Sequence, residues 1–182
     1  MKNLPTLARD IYAEHINEKG EVVWPERGED RSELARVLYG KQLIETFDYW
    51  FSHAIDLIEN PQPQKVFPRK NESYKEDKYF RDKLSTLSHE QKQAVRNLVR
   101  TIAHGILFGT LVDLDQGDYG EMETAMKLGE GNDQSVRITP NKSVELHDEL
   151  NDWALSFSKF ADEIIELVEI RGGWQLQLKK FY

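Results

Sequence analysis

The sequence predicts a mainly α-helical fold, a bundle of four to five amphipathic helices with a small β or irregular insertion near residues 120–140. Two observations lead to this prediction. Apolar residues recur every three to four positions through three long segments, which is the spacing of one face of an α-helix. Each segment also begins at a helix-capping residue. Such helices bury their apolar faces only against one another, so a bundle is expected.

The N-terminal third predicts one short and one long helix. Pro5 fits the first turn of a helix, and this helix is expected to end at Gly20. The carboxylate of Asp30 is a suitable cap for a second, long helix that runs to Asn60. Gly40 lies inside this helix and weakens it by about 1 kcal/mol relative to alanine. A glycine at such a position indicates a close contact or a bend.

The middle of the chain predicts a loop and two further helices. An exposed proline-rich loop is expected over residues 61–72. Ser73 and Ser88 are each followed three residues later by Glu or Gln, which is the capping-box pattern of a helix start. The helix after Ser88 carries the widest apolar stripe of the sequence. Gly105 and Gly109 interrupt it, and close packing against another helix is the expected reason.

The last long helix is predicted to start at Asn141 or Ser143 and to continue to Val168. Residues 172–182 are expected to form a C-terminal tail. Large apolar residues at helical spacing are expected to form the core. They are Phe47, Trp50, Phe51, Leu98, Ile102, Ile106, Trp153, Phe157 and Ile164.

Composition indicates one globular domain over residues 1–182. Hydrophobic residues make up 39% of the chain, which is enough to form a core. The absence of cysteine excludes disulfides, thiolate nucleophiles and cysteine-ligated metals. The N-terminus lacks the apolar run of a signal peptide, and no stretch reaches the roughly 20 apolar residues of a membrane span. A cytoplasmic protein without membrane association is therefore expected.

Negative charge is concentrated in the C-terminal half. The chain carries a net charge of −8, and the segment from Asp113 to Glu169 has 4 basic and 15 acidic residues, a net of −11. Such a region repels nucleic acid and attracts basic proteins. Asp113 and Asp115 also lie near a predicted helix C-terminus, where the helix dipole favours cations. The predicted working surface comprises Asp113, Asp115, Asp118, Glu121, Asp148, Glu149 and Asp152.

Catalytic signatures are missing from the sequence. It contains no nucleophile elbow, phosphate loop or dinucleotide fingerprint, and no His-Glu-x-x-His or Glu-x-x-His metal motif. We therefore expect a non-enzymatic protein without a cofactor. It would bind a basic protein partner through its acidic surface, as an immunity or antitoxin-type protein does.

The alternative is a metal- or small-molecule-binding helical enzyme that uses His104, His147 and the acidic turn at residues 113–121. The pair His147-Asp148 is similar to the His-Asp dyad of metal-dependent phosphohydrolases, with His104 as a candidate upstream ligand. A polar helix face is the favoured explanation of the same pair, because two adjacent residues match a short motif easily by chance.

Overall fold

The computed structural model describes residues 7–61, 72–116, 125–127, 135–138 and 145–161. Helices account for 75% of this described chain, so the prediction of a mainly α fold is confirmed. Among the helices described, none is both long and apolar enough to cross a lipid bilayer.

The described residues form five helices and two short strands. In chain order these are α1 (Ala8–Glu14), α2 (Gly28–Glu59), α3 (Glu72–Leu84), α4 (His89–Gln116), β1 (Ala125–Lys127), β2 (Ser135–Arg137) and α5 (Leu146–Phe157). The two strands pair in antiparallel fashion, with Met126 opposite Val136. This ribbon confirms the small β insertion predicted near residues 120–140.

Capping chemistry sets the start of α4. The Ser88 hydroxyl accepts a hydrogen bond from the backbone N–H of Gln91 at 3.2 Å, and the Gln91 amide oxygen accepts one from the backbone N–H of Ser88 at 2.8 Å. This reciprocal pair is the predicted capping box. Ser73, in contrast, lies inside α3, so the cap predicted there is wrong. Asp30 likewise lies in the first turn of α2 and does not precede it.

Two helices end earlier than the sequence predicts. α1 stops at Glu14, because Ile16 pairs with Val22 in an antiparallel bridge and Gly20 adopts a positive φ of 77° in the turn between them. Only glycine adopts such a φ without strain.

α5 ends at Phe157 because Ser158 adopts an extended backbone with φ −77° and ψ 135°. The backbone N–H of Ser158 still donates to the carbonyl of Ala154 at 2.9 Å, which closes the last helical turn. The predicted continuation to Val168, the predicted core residue Ile164 and the tail at residues 172–182 lie outside the described residues, and so does most of the loop at 61–72.

The chain divides into two compact units. The described parts of Met1–Thr46 and Phe108–Tyr182 form unit 1, and Phe47–Leu107 forms unit 2. Both long helices, α2 and α4, contribute residues to each unit. The single domain proposed over residues 1–182 therefore stays a prediction.

Trp153 of α5 lies at the centre of unit 1, where it is 1% exposed. A Cβ atom placed on Gly40 would overlap the Trp153 indole, so α2 and α5 approach each other as closely as this glycine allows. The close contact predicted at Gly40 is thus confirmed. Tyr39 packs edge-on against the same indole, with ring centroids 6.1 Å apart. The other buried apolar side chains of unit 1 are Ala8, Leu34, Ala35, Val37, Ile44, Leu111, Val136, Ile138, Leu146, Leu150 and Ala154.

Unit 2 has a small apolar core. Phe47 and Phe51 are buried and their rings stack with centroids 5.6 Å apart, as the sequence predicts for both residues. The core prediction is wrong for four other residues, because their side chains are exposed. They are Trp50, Leu98, Ile102 and Ile106.

The physical reason for the error on α4 is its rotation. The row that turns inward in unit 2 contains Arg96, which pairs with Glu59 of α2 at 3.5 Å, and Arg100, which is 5% exposed. Leu98, Ile102 and Ile106 therefore face outward. Among the residues that the structure describes, no atom outside the α4 backbone lies within 4 Å of a Cβ atom placed at Gly105 or Gly109, so the packing predicted there is wrong.

Candidate functional site

Asp115, near the end of α4, caps the start of α5. Its Oδ1 accepts a hydrogen bond from the backbone N–H of Leu146 at 2.9 Å, and its Oδ2 accepts one from the backbone N–H of His147 at 3.0 Å. The first N–H groups of a helix lack partners within the helix, so a carboxylate at this place stabilises α5. The positive end of the α5 dipole in turn stabilises the carboxylate. This contact explains why an acidic residue is placed at the end of α4.

The same carboxylate holds the imidazole of His147. Nδ1 of His147 lies 2.9 Å from Oδ2 of Asp115, whose side chain is 3% exposed. An ionised carboxylate only accepts hydrogen bonds, so this contact favours the tautomer of His147 with the proton on Nδ1. The ring of Phe108 packs edge-on against the imidazole at 5.3 Å. These two contacts fix the orientation of the ring and direct Nε2 away from Asp115.

Nε2 of His147 faces two carboxylates. It lies 3.1 Å from Oε2 of Glu145 and 3.8 Å from Oδ1 of Asp148. One ligand atom from each of the three residues lies within 4.8 Å of the other two. Metal–ligand bonds of about 2.1 Å in a tetrahedral site place ligand atoms about 3.4 Å apart, and the two measured separations bracket that value.

The electrostatic balance at this place favours a cation. Three carboxylates, those of Asp115, Glu145 and Asp148, surround a single imidazole. A cation bound between Nε2 and the carboxylate oxygens that face it would be attracted by all of these groups. Within the described residues, Glu145, His147 and Asp148 are the one group of three potential metal ligands.

Two residues of the predicted acidic surface are engaged inside unit 1. Glu149 pairs with Arg36 of α2 at 3.1 Å, and Asp152 accepts a hydrogen bond from the backbone N–H of Ala8 at 3.0 Å, which caps α1. Burial raises the pKa of Glu149, and the Arg36 guanidinium offsets part of that rise. Burial also raises the pKa of Asp152, against the effect of its hydrogen bond from Ala8. Both carboxylates, like that of Asp115, hold helices in place.

The remaining predicted residues are placed as follows. Asp113 and Asp148 are exposed, whereas Asp118 and Glu121 lie outside the described residues. His104 is half-buried on α4 and does not belong to the group of potential metal ligands around His147. His147 and Asp148 therefore share the group with Glu145, while Asp115 lies against the other side of the imidazole. The metal alternative, which also uses His104, stays a prediction.

Glu145 is the site residue that sequence reasoning missed. It occupies the N-cap position of α5, with an extended backbone at φ −100° and ψ 139°. The pattern Glu145-x-His147-Asp148 at a helix start could have indicated the group. Where an extended residue meets the first helical turn, its side chain lies near those two and three residues later. The predicted helix start at residues 141–143 concealed that arrangement.

No family model, no curated protein and no solved structure matches this chain. The geometry around His147 is therefore the main guide to function.

Proposed function

We propose that the protein binds a divalent transition-metal ion through Nε2 of His147 and the carboxylates of Glu145 and Asp148, with Asp115 as the positioning residue. One observation carries the proposal: a buried carboxylate holds Nδ1 of His147 while Nε2 faces two further carboxylates. Metal-binding histidines commonly donate their second ring N–H to a carboxylate, which fixes the tautomer and raises the basicity of the ligating nitrogen.

The ligand chemistry favours zinc. One imidazole nitrogen with two carboxylate oxygens is a mixed set that Zn²⁺ accepts, whereas Mg²⁺ and Ca²⁺ favour oxygen ligands alone. Glu145 and Asp148 are 54% and 60% exposed, so solvent reaches the site. Three protein ligands leave a fourth position for water or a small ligand, which is typical of catalytic rather than structural zinc sites.

The start of a helix is an unfavourable place for a cation, since the dipole is positive there. Asp115 offsets this effect, because it accepts hydrogen bonds from the N–H groups of Leu146 and His147. Together with Glu145 and Asp148 it supplies three negative charges around the proposed ion. The negative charge concentrated after Asp113 further supports cation binding over anion binding.

Titration calorimetry with ZnCl₂ on chelator-treated protein tests the proposal. We expect one zinc ion per chain in the wild type and loss of that binding in His147→Gln. His89→Gln is the matched control, since His89 is exposed on α4 and is not a member of the group. Equal zinc affinity in both variants, or no saturable binding by the wild type, would refute the proposal.

The positioning role of Asp115 has its own test. Asp115→Asn keeps the shape of the side chain but removes the charge that orients His147. Loss of a carboxylate that hydrogen-bonds to a metal ligand weakens metal binding by about 10- to 100-fold. Asp113→Asn, on the same turn of α4 but exposed, is expected to leave the affinity unchanged. Circular dichroism of both variants confirms that helix content is retained. If the two variants bind zinc equally well, Asp115 does not position His147.

A basic protein partner, as for an immunity or antitoxin-type protein, is the second candidate. The observation that favours it is the exposure of Asp113 within the most acidic part of the chain. Asp113→Lys is expected to slow association with a basic protein and to flatten its salt dependence, while zinc binding stays unchanged. An unaltered association rate would refute the proposal that Asp113 belongs to a surface that binds a basic protein.

A further inference from the structure

Exposed apolar side chains are concentrated in unit 2. Among the eight exposed large hydrophobic side chains of the described residues, only Val23 lies outside Phe47–Leu107. Leu98, Ile102 and Ile106 of α4 are 57%, 52% and 63% exposed. Consecutive members of this trio are four residues apart, so they form one continuous ridge along the helix. Arg96 and Arg100 lie on the inward side of α4 in unit 2, opposite this ridge.

The exposed positions of α4 between Gln91 and Thr110 carry no charge. They are Gln91, Gln93, Ala94, Asn97, Leu98, Ile102, Gly105, Ile106 and Thr110. Charged residues make up 31% of the chain, so an uncharged helix face of this length is unusual for a surface that meets only water. A basic partner would find no carboxylate here to pair with. A second acidic copy of the chain, in contrast, would meet no like charge.

A groove runs beside the ridge. Thr101, Gly105 and Gly109 occupy the adjacent row at four-residue spacing, and two of the three have no side chain. In the part of the chain that the structure describes, no atom outside the α4 backbone lies within 4 Å of a Cβ atom at Gly105 or Gly109, so the groove is open. The ridge and a groove that fits such a ridge therefore lie side by side on one helix face.

We infer that this face of α4 is a self-association surface that binds the same face of a second copy of the chain. Under a two-fold axis near Ile102, the ridge of each copy enters the groove of the other, and Leu98 of one copy approaches Ile106 of its partner. This is the commonest ridge-into-groove class, with helices crossing at about −50°. A surface that carries both the ridge and its groove is self-complementary, which a two-fold contact requires.

The size of the face sets the expected strength. Residues 91–107 of α4 extend over about 25 Å and offer a strip about 10 Å wide. That strip is smaller than the roughly 800 Å² per partner of a standard stable interface. The contact therefore corresponds to a weak dimer that dissociates on dilution.

Sedimentation equilibrium of the full chain, from about 1 μM to about 300 μM, tests the inference. A chelator in the buffer excludes association through metal bridges. We expect the mean mass to rise with concentration from 21.3 kDa toward twice that value. Gly105→Glu fills the groove and adds charge, and it is expected to weaken the dimer at least tenfold.

Gly105→Glu is informative because it spares the monomer. The new side chain enters open space, and Glu favours helix more than glycine does, so the melting temperature is expected to stay equal or rise. Gln42→Glu adds the same charge at an exposed position of α2 and is expected to dimerise like the wild type. Ile102→Glu disrupts the ridge independently. A constant mass of 21.3 kDa for the wild type, or unaltered dimers in both Gly105→Glu and Ile102→Glu, would overturn the inference.

Discussion

Arg81 is the single side chain of unit 2 whose replacement is expected to cost most. It is fully buried on α3, and all five of its N–H groups donate hydrogen bonds. Nε and Nη2 donate to the carboxylate of Asp77 at 2.9 and 3.2 Å, and Nη2 also donates to Oδ2 of Asp56 at 2.6 Å. Nη1 donates to the backbone carbonyls of Asp56 and Asn60, both at 2.9 Å. These carbonyls lie at the C-terminal end of α2, so Arg81 caps that helix while joining α3 to it.

The expected loss of stability in Arg81→Met follows from the two carboxylates that lose their cationic partner. The carboxylates of Asp77 and Asp56 are 7% and 26% exposed, so neither is fully hydrated once the guanidinium is gone. Removing one partner of a buried ion pair typically costs about 3–5 kcal/mol. Arg81→Lys keeps the charge but has three donors in place of five, so we expect an intermediate cost.

Urea unfolding followed by circular dichroism measures these costs, and hydrogen exchange shows whether the loss is localised in α3. Lys78→Met is the matched control, because Lys78 pairs with Asp82 on the same helix but both side chains are more than half exposed. Water and salt screen an exposed ion pair, so this pair contributes little to stability. If Arg81→Met is no more destabilising than Lys78→Met, the buried guanidinium does not hold α3 against α2.

Three further predictions test the packing of the fold and the burial of a carboxylate. Gly40→Ala forces a methyl group into the buried ring of Trp153, and overpacking of this kind is expected to lower the free energy of unfolding by about 1–3 kcal/mol in thermal or urea melts. Leu98→Ala is expected to cost less than about 1 kcal/mol because Leu98 is exposed, whereas Leu34→Ala removes a fully buried side chain and is expected to cost about 2–5 kcal/mol; equal costs would contradict the orientation of α4. Burial raises the pKa of Asp152, so the folded state retains its proton to higher pH than the unfolded state, and the contribution of this group to stability falls as pH rises from the usual carboxyl pKa to the raised one. Asp152→Asn is expected to remove that part of the pH dependence in urea titrations, and an unchanged pH profile would contradict the burial effect.

Local signals in the sequence predicted most helix positions. The capping box of Ser88 and Gln91 marks the start of α4, and Gly40 marks a close contact inside α2. Both succeed because helical hydrogen bonds and caps join residues a few positions apart, so the chain nearby contains the whole interaction. The helix end at Ser158 was missed, because the apolar periodicity continues past a residue whose backbone is extended.

The direction in which α4 faces was decided by tertiary structure. Its apolar stripe is plain in the sequence, yet Leu98, Ile102 and Ile106 lie outside while Arg100 is buried. Periodicity identifies an apolar face but not the neighbour that covers it. In unit 2 the neighbour is α2. Arg96 pairs with Glu59 of α2, so the side of α4 that carries Arg96 faces α2, and the side that carries Leu98, Ile102 and Ile106 does not.

The candidate site combines both kinds of information. His147 and Asp148 are adjacent in the sequence, so their proximity was predictable, and Glu145 belongs to the same helix start. Asp115 is 32 positions before His147, and its acidic character at the end of α4 looked like a local conflict with the helix dipole. Only the folded chain places the start of α5 against that carboxylate, because a cap supplied by another helix depends on how the two helices pack and leaves no spacing in the sequence.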